Sequence, residues 1–237
     1  MEKILLVRQL EKYPVFNLKK IGEITGKTKG YAKLLVYRLK KKGIITEIEK
    51  NKFTTNNDPM VIASNMIWPS YISCWSALRY YNLTEQLPQD IFVITTKTRK
   101  KRIVKFNNIK IIFIRVKPKY FFGYIKERYN NFDIFIAEKE KALIDSALFK
   151  KISFSEICNI IKNNLDILDT RLFLDYLIKI KNKTLIKRFG FLFDKLNMDI
   201  YKKIKRFIDS KYVVLDYALP AKGKKDRKWA VIENAKP

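Results

Sequence analysis

The chain has 237 residues, 47 % of them hydrophobic, which is enough to bury a core in one large or two modest domains. Fifty Lys and Arg stand against 23 Asp and Glu, so the formal charge is +27 and the expected partner is a polyanion, either nucleic acid or an anionic membrane surface. The sequence contains no histidine, which excludes a Cys/His zinc site, a Ser–His or Cys–His nucleophile pair and a histidine general base.

Apolar runs are short throughout the chain. None approaches the roughly 20 residues that a membrane-spanning helix needs, and the N-terminus has no signal-peptide pattern. We therefore expect a cytoplasmic protein without a membrane partner. The richness in Lys, Ile and Asn is also typical of an AT-rich genome, which gives part of the charge an alternative origin.

The first 57 residues predict three helices followed by a β-hairpin. Apolar positions near helical spacing indicate helices over residues 2–13 and 18–26, the first ended by Pro14 and the second by Gly26. Thr28 is a candidate N-cap for a third helix that runs to about residue 42. The next segment, GIITEIEKNKFTT, is typical of two strands joined by a tight turn at residues 49–51. This order predicts a winged helix-turn-helix.

The third helix carries two stripes of side chains. The apolar stripe predicts the side that packs on the core, and it consists of Ala32, Leu35, Val36 and Leu39. The second stripe consists of Lys29, Lys33, Tyr37 and Lys40. We interpret the second stripe as the DNA-facing side of a recognition helix. A merely solvated charged helix is the alternative, but it does not explain the order of the elements.

The predicted DNA-binding residues come from the turn before the third helix, the helix itself and the hairpin. They are Lys27, Thr28, Lys29, Tyr31, Lys33, Tyr37, Lys50 and Lys52. The helical lysines would contact phosphates or guanine edges, and the hairpin lysines would meet the backbone. The expected partner is double-stranded DNA of the chain's own promoter. We expect a dimer on an inverted repeat, because one winged helix seldom provides enough specificity.

The segment TTNNDPM predicts a boundary between a domain at residues 1–57 and a second domain at residues 58–237, because Asn, Asp and Pro break both periodicities. SYISCWSALRYYNL predicts a helix with Ser73 as its cap. The runs IFVITT, RIVKF, IKIIFIRV and DIFIA predict strands, and five helical segments follow between residues 138 and 208. Strands grouped before helices predict an α+β fold, with a small sheet packed on a helical half.

Two basic runs have open interpretations. KTRKKRIVK at residues 97–105 predicts either a second phosphate contact or a lysine-rich sheet edge that prevents strand pairing. KGKKDRK near the C-terminus is expected to be a mobile tail. Trp75 and the numerous Phe and Tyr side chains could stack on bases of single-stranded RNA, although at helical spacing such residues are more often core.

An acidic cluster offers one route to catalysis. Glu138, Glu140 and Asp145, with Asp133 as a further ligand, are candidate Mg²⁺ ligands of a nuclease. On a helix, however, residues 140 and 145 lie about 140° apart around the axis. Acids that stabilise the first turn of a helix explain the cluster more simply. We therefore predict no catalytic residue, no metal ligand and no cofactor.

Four segments of the second domain together form a recognisable pattern, namely YISCWSALRYYNLTEQLP at residues 71–88, FVITTKTRKKR, IAEKEKALID and VLDYALPAKGKKDRKW. In their order and spacing they resemble antitoxins of the abortive-infection AbiEi type, and the first segment is the most specific. The family often has a His-Gly pair where this chain has Tyr81 and Asn82. The motif residues that match are Ser73, Ser76, Leu78, Thr84, Glu85, Gln86, Arg99, Arg102, Glu140 and Asp145.

The resemblance implies a two-domain transcriptional regulator that represses its own operon and is the antitoxin of a type IV toxin–antitoxin system. It implies a nucleotidyltransferase-like toxin as functional partner, opposed without a stable complex. Two alternatives stay open beside it. One is a stand-alone winged-helix regulator with a sensing or interaction domain, and the other is a Mg²⁺-dependent nuclease.

Overall fold

The computed structural model of the chain describes residues 3–87 and 89–236. The helices are α1 (Lys3–Leu10), α2 (Leu18–Thr25), α3 (Lys29–Lys41), α4 (Pro59–Asn65), α5 (Trp75–Tyr80), α6 (Lys139–Leu148), α7 (Phe154–Asn163), α8 (Thr170–Ile180), α9 (Lys183–Lys195) and α10 (Tyr201–Ile204). The strands are β1 (Thr46–Glu49), β2 (Lys52–Thr54), β3 (Ser70–Ser73), β4 (Asp90–Thr95), β5 (Ile103–Phe106), β6 (Ile109–Arg115), β7 (Tyr124–Tyr129), β8 (Phe132–Ala137), β9 (Val213–Val214), β10 (Lys224–Asp226) and β11 (Val231–Glu233). This mixture of helices and small sheets is consistent with the predicted α+β class.

The chain divides into two compact units. Within the described residues, unit 1 comprises residues 3–72, 89–117 and 125–136, and unit 2 comprises residues 73–87, 118–124 and 137–236. This division does not follow the boundary expected near residue 57, because the hairpin β1–β2 also contacts residues of the later strands of unit 1. Glu49, for example, forms an ion pair with Arg99. An independent domain at residues 1–57 stays a prediction.

Helix α2 of unit 1 begins and ends at local signals. Asn17 caps α2 by accepting a hydrogen bond from the Lys20 amide at 3.0 Å, and Gly26 ends that helix in the left-handed region with a φ of 65°. α1 ends three residues before the predicted end, at Leu10. The two strands of the hairpin pair antiparallel across a turn at which Asn51 adopts a φ of 62°.

The core of this helical part forms from the apolar sides of all three helices. It includes Leu6 and Leu10 of α1, Ile21 of α2 and side chains of α3 and the hairpin. Phe53 of β2 lies in the same cluster, and its backbone pairs with that of Phe16 between α1 and α2. The hairpin is therefore packed on the helices along one face.

Unit 1 also contains α4 and most of a six-stranded sheet with the order β5-β6-β4-β3-β8-β7. β4 pairs parallel with β6, while β5 pairs antiparallel with β6 and forms one edge. Two Asn-Asn turns with positive φ join β5 to β6 and β7 to β8, which is the conformation that a two-residue hairpin turn requires. The four strand predictions are confirmed, whereas β7 was not predicted.

Unit 2 is mostly helical, and its core is aromatic. Phe173 packs edge-on against Phe189 and Phe193, with ring centroids 4.9 and 5.2 Å apart. The helical segments predicted after residue 138 appear as α6 to α10. The last of these is short, because α10 spans four residues before a 3₁₀ turn.

Two predictions for unit 2 are wrong. Ser73 does not cap a helix: it is the last residue of β3, and α5 begins after Cys74, which has a φ of 56° and makes no capping bond. The basic C-terminal segment is not a mobile tail, because β10 pairs with β11 and the intervening Trp229 is fully buried. Trp229 packs on α9 where a Cβ at Gly190 would lie 2.1 Å from the indole ring.

Candidate nucleic-acid interface

Helix α3 is held in one orientation by its cap and its apolar side. The Thr28 hydroxyl accepts a hydrogen bond from the Tyr31 amide at 3.4 Å, so the predicted N-cap is confirmed. Ala32, Val36 and Leu39 are buried against α1 and α2. The rest of the helix circumference is therefore left facing outward.

The outward side of α3 is cationic and aromatic. Lys29 and Lys33 are exposed one turn apart, and Tyr37 is 64 % exposed. No ion pair in the described part of the chain involves either lysine. Lys40, the last member of the predicted stripe, differs from them because its ammonium group forms an ion pair with Glu47 of β1. Lys40 therefore joins the helix to the hairpin.

Tyr31 of α3 and Lys27, which precedes the helix, line a cleft of about 540 Å³ together with Leu6, Arg38 and Leu39. The eight predicted DNA-binding residues thus fall on more than one face of the helical part.

The two hairpin lysines have different environments. Lys50 is exposed at the turn. Lys52 is half-buried: its ammonium group lies 2.7 Å from the Glu49 carboxylate and donates a hydrogen bond to the Met66 carbonyl at 2.6 Å. Lys52 therefore makes contacts within unit 1, whereas Lys50 is the hairpin lysine that is exposed to solvent.

The basic run at residues 97–105 lies beside this turn. The Arg99 guanidinium group donates to the Glu49 carboxylate at 2.6 Å and stacks on the Phe113 ring, 3.9 Å from its centroid. Burial raises the pKa of the Glu49 carboxyl, but its ion pairs with Lys52 and Arg99 outweigh this effect and leave the pKa below the ordinary value. Glu49 is thus an anion that binds two cations.

The motif residues Ser73 and Asp145 meet in the interior of unit 2. The Ser73 hydroxyl donates to one oxygen of Asp145 at 2.9 Å, and the Lys141 ammonium group pairs with the other oxygen. Both charged side chains are fully buried, and the Lys141 ammonium lies 5.2 Å from the centroid of the Phe122 ring. Burial also raises the pKa of the neighbouring Cys74 thiol to about 12. These contacts give Ser73 and Asp145 a structural role within unit 2.

The acidic cluster is dispersed among separate partners. Glu138 accepts a hydrogen bond from the Tyr176 hydroxyl, and Glu140 accepts one from the Asp169 amide at 2.8 Å. Asp145 is occupied by Lys141. Across residues 3–87 and 89–236, no three Cys, Asp or Glu side chains lie together as a metal site requires. The structure does not bring the candidate Mg²⁺ ligands to one point.

The remaining motif residues serve local packing or face solvent. Ser76 and Leu78 are buried in α5. The Thr84 hydroxyl accepts a hydrogen bond from the Gln86 amide, and the Gln86 side chain donates to Glu156 at 3.2 Å. Two further motif residues, Glu85 of unit 2 and Arg102 of unit 1, are exposed.

No protein-family model matches the chain, and no curated protein matches it. No helix in the described residues combines the length and apolar character needed to cross a bilayer.

The sequence did not indicate which element residues 97–101 contact. The basic run was evident, but no local pattern indicates which element lies next to it, because its partner Glu49 is fifty residues away. Strand β7 carried a local signal, because the Asn130–Asn131 turn precedes β8.

Proposed function

We propose that the protein is a cytoplasmic, DNA-binding transcriptional autorepressor that serves as the antitoxin of a type IV toxin–antitoxin system. In this proposal α1, α2, α3 and the hairpin β1–β2 form a winged helix-turn-helix. The observation that carries it is α3 itself, which buries one apolar side on α1 and α2 while Lys29, Lys33 and Tyr37 stay exposed.

The proposed binding mode follows from the dimensions of the helix. An α-helix with side chains is about 10–12 Å wide and fits the major groove, which is about 12 Å wide. The N-terminal half of α3 holds Lys29 and Lys33, so these side chains would reach base edges or phosphates. Lys50 at the hairpin turn would contact the backbone. Two copies would occupy the halves of an inverted repeat.

The antitoxin part of the proposal is supported by the resemblance to AbiEi-type antitoxins over residues 71–88 and the later segments. Its functional partner would be a nucleotidyltransferase-like toxin, opposed without a stable complex. The proposal assigns this chain no catalytic step, metal or cofactor. The dispersed partners of Glu138, Glu140 and Asp145 favour it over a nuclease.

Fluorescence anisotropy tests the DNA-binding part. The purified protein is titrated into the duplex upstream of its own gene and into a scrambled duplex of equal length, each at several salt concentrations. We expect the upstream duplex to bind about a thousandfold more tightly or better. Equal affinity for the two duplexes at every salt concentration would refute specific recognition.

Two pairs of substitutions locate the interface. Lys29→Ala with Lys33→Ala should reduce the preference for the upstream duplex and make the salt dependence shallower by about two units. Lys202→Ala with Lys203→Ala removes the same charge from the exposed side of α10 and should leave the preference unchanged. The assignment of α3 fails if the two pairs behave alike.

A growth assay tests the antitoxin part. The chain is co-expressed with a nucleotidyltransferase-like protein encoded beside its gene, and we expect it to restore growth without co-purifying with that protein. Loss of DNA binding together with full rescue in the Lys29→Ala, Lys33→Ala variant would separate the two activities. Absence of rescue by the wild-type chain would leave a stand-alone regulator as the better interpretation.

A further inference from the structure

We propose that the turn of the hairpin and the loop before β5 form a second phosphate-binding site for the DNA backbone, separate from α3. We call this the hairpin-tip cluster, and it consists of Glu49, Lys50, Arg99, Lys100 and Lys101. These side chains line one open pocket of about 420 Å³. The inference rests on the proposed DNA-binding function and adds a contact to it.

The centre of the cluster, Arg99, is held in place by contacts within unit 1. The Arg99 side chain is only 9 % exposed, its guanidinium group is held by Glu49 at 2.6 Å, and its Nε donates to the Lys101 carbonyl at 3.2 Å. The ring of Phe113 on β6 stacks on the guanidinium group. Arg99 therefore holds the loop against the hairpin, so that the two lysines that follow it stand beside Lys50.

The charge of the cluster favours an anion. Four cations surround one carboxylate, a formal charge of +3. In the part of the chain that the structure describes, the ion pairs of Glu49 go to Lys52 and Arg99, while Lys50, Lys100 and Lys101 are exposed without such a pair. Phosphate oxygens accept hydrogen bonds from ammonium groups of this kind.

Protection of a sheet edge does not account for these lysines. β5 is the edge strand, and Lys105 stands within it, where a charge can prevent pairing with another chain. Lys100 and Lys101, however, precede the strand and lie in a loop. They add charge beside the hairpin and not along the edge.

A duplex is the polyanion that fits the position of the cluster. Lys40 of α3 pairs with Glu47 of β1, and Glu49 at the end of the same strand pairs with Arg99. The two contacts are two residues apart on β1, on either side of an irregularity in the pairing of β1 with β2. The hairpin therefore contacts both α3 and the loop that carries the cluster, and in our proposal a DNA backbone that passes the hairpin meets the cluster.

The test uses a triple variant, Lys50→Ala with Lys100→Ala and Lys101→Ala, which leaves Arg99 and Glu49 in place. Its affinity for the upstream and the scrambled duplex is measured across a salt series. We expect a salt dependence shallower by about 2.7 units, since each lost phosphate contact removes about 0.9. Both duplexes should be affected alike, so that the preference between them is retained.

Three controls make the result specific. The triple variant Lys202→Ala, Lys203→Ala, Lys205→Ala loses the same charge near α10 and should keep the wild-type slope. The variant with arginine at positions 50, 100 and 101 should also keep it. A duplex of RNA with the same sequence tests whether the site serves another polyanion.

The outcomes separate this inference from the proposed function. The inference is wrong if the hairpin-tip triple variant keeps the wild-type salt dependence of DNA binding, behaves like the α10 control or changes only RNA binding. In each of these cases, a preference for the upstream duplex that depends on Lys29 and Lys33 would still support the winged helix. If the wild-type protein binds neither duplex, both fall together.

Discussion

The buried ion pair of unit 2 allows a prediction about stability. Lys141→Met removes the ammonium group but retains an unbranched apolar side chain, so the Asp145 carboxylate stays fully buried with the Ser73 hydroxyl as a remaining donor. Breaking a buried pair from one side leaves an uncompensated charge and costs about 3 to 5 kcal/mol. With an m value of about 3 kcal/mol per M of urea, the unfolding midpoint should fall by about 1 to 1.7 M.

The assay needs a signal from unit 2 alone. Trp68 belongs to unit 1, whereas Trp75 and Trp229 belong to unit 2, so fluorescence in a Trp68→Phe background reports the unit that holds the pair. Lys195→Met is the matched control, because Lys195 is about half exposed and lies 3.8 Å from Glu233. A pair of that kind contributes at most about 1 kcal/mol.

A double variant completes the cycle. Lys141→Met with Asp145→Leu removes both charges, and it should unfold at a urea concentration closer to that of the wild type than Lys141→Met alone. The reasoning is refuted if Lys141→Met shifts the midpoint no more than Lys195→Met does, because Asp145 would then not be a buried charge that depends on Lys141.

Three further predictions concern packing, thiol reactivity and acid unfolding. Gly190→Ala should destabilise the protein by about 1 to 3 kcal/mol, because the added Cβ would lie 2.1 Å from the Trp229 ring. Gly22→Ala should instead stabilise α2 by about 0.5 to 1 kcal/mol, because the atom nearest to its added Cβ is 3.5 Å away. Thermal melts of both variants measure these opposite changes. The Cys74 thiol, with a pKa of about 12, should react with a thiol reagent at pH 8 about a thousandfold more slowly in the native protein than in urea, and equal rates would contradict its burial. Burial raises the pKa of Asp216, but hydrogen bonds from Ser155 and backbone amides leave it below the ordinary value. Its contribution to stability is therefore present above about pH 4 and is lost as the pH falls through the lowered pKa, so urea midpoints of Asp216→Asn should fall less between pH 5 and pH 2 than those of the wild type.

The sequence predicted the elements whose signals are local. Helix α3 was placed to within a residue, because Thr28, the apolar spacing and Gly43 all lie within sixteen positions of one another. The helices α6 to α9 were found for the same reason. Ser73 was misplaced because β3 is only four residues long and buried throughout, so it shows none of the alternation that distinguishes a half-exposed strand from a helix.

Features that depend on distant residues could not be predicted. The C-terminal segment has the charge of a mobile tail, but Trp229 packs on Gly190, and nothing near either residue indicates the other. Likewise, the sequence left the run at residues 97–105 between two interpretations. The structure puts Lys105 on a sheet edge and Arg99 against the hairpin, so different residues of one run have different surroundings.

The contact between Glu49 and Arg99 also limits how this protein could be rearranged by recombination. A cut after residue 57 would leave Glu49 without its guanidinium partner and would expose the side of the hairpin that faces the sheet. Transfer of residues 1–57 onto an unrelated second domain would therefore lose this ion pair. A chimaera that keeps this ion pair would have to carry the loop with Arg99 along with the hairpin, and these two segments are separated in the gene by about fifty codons.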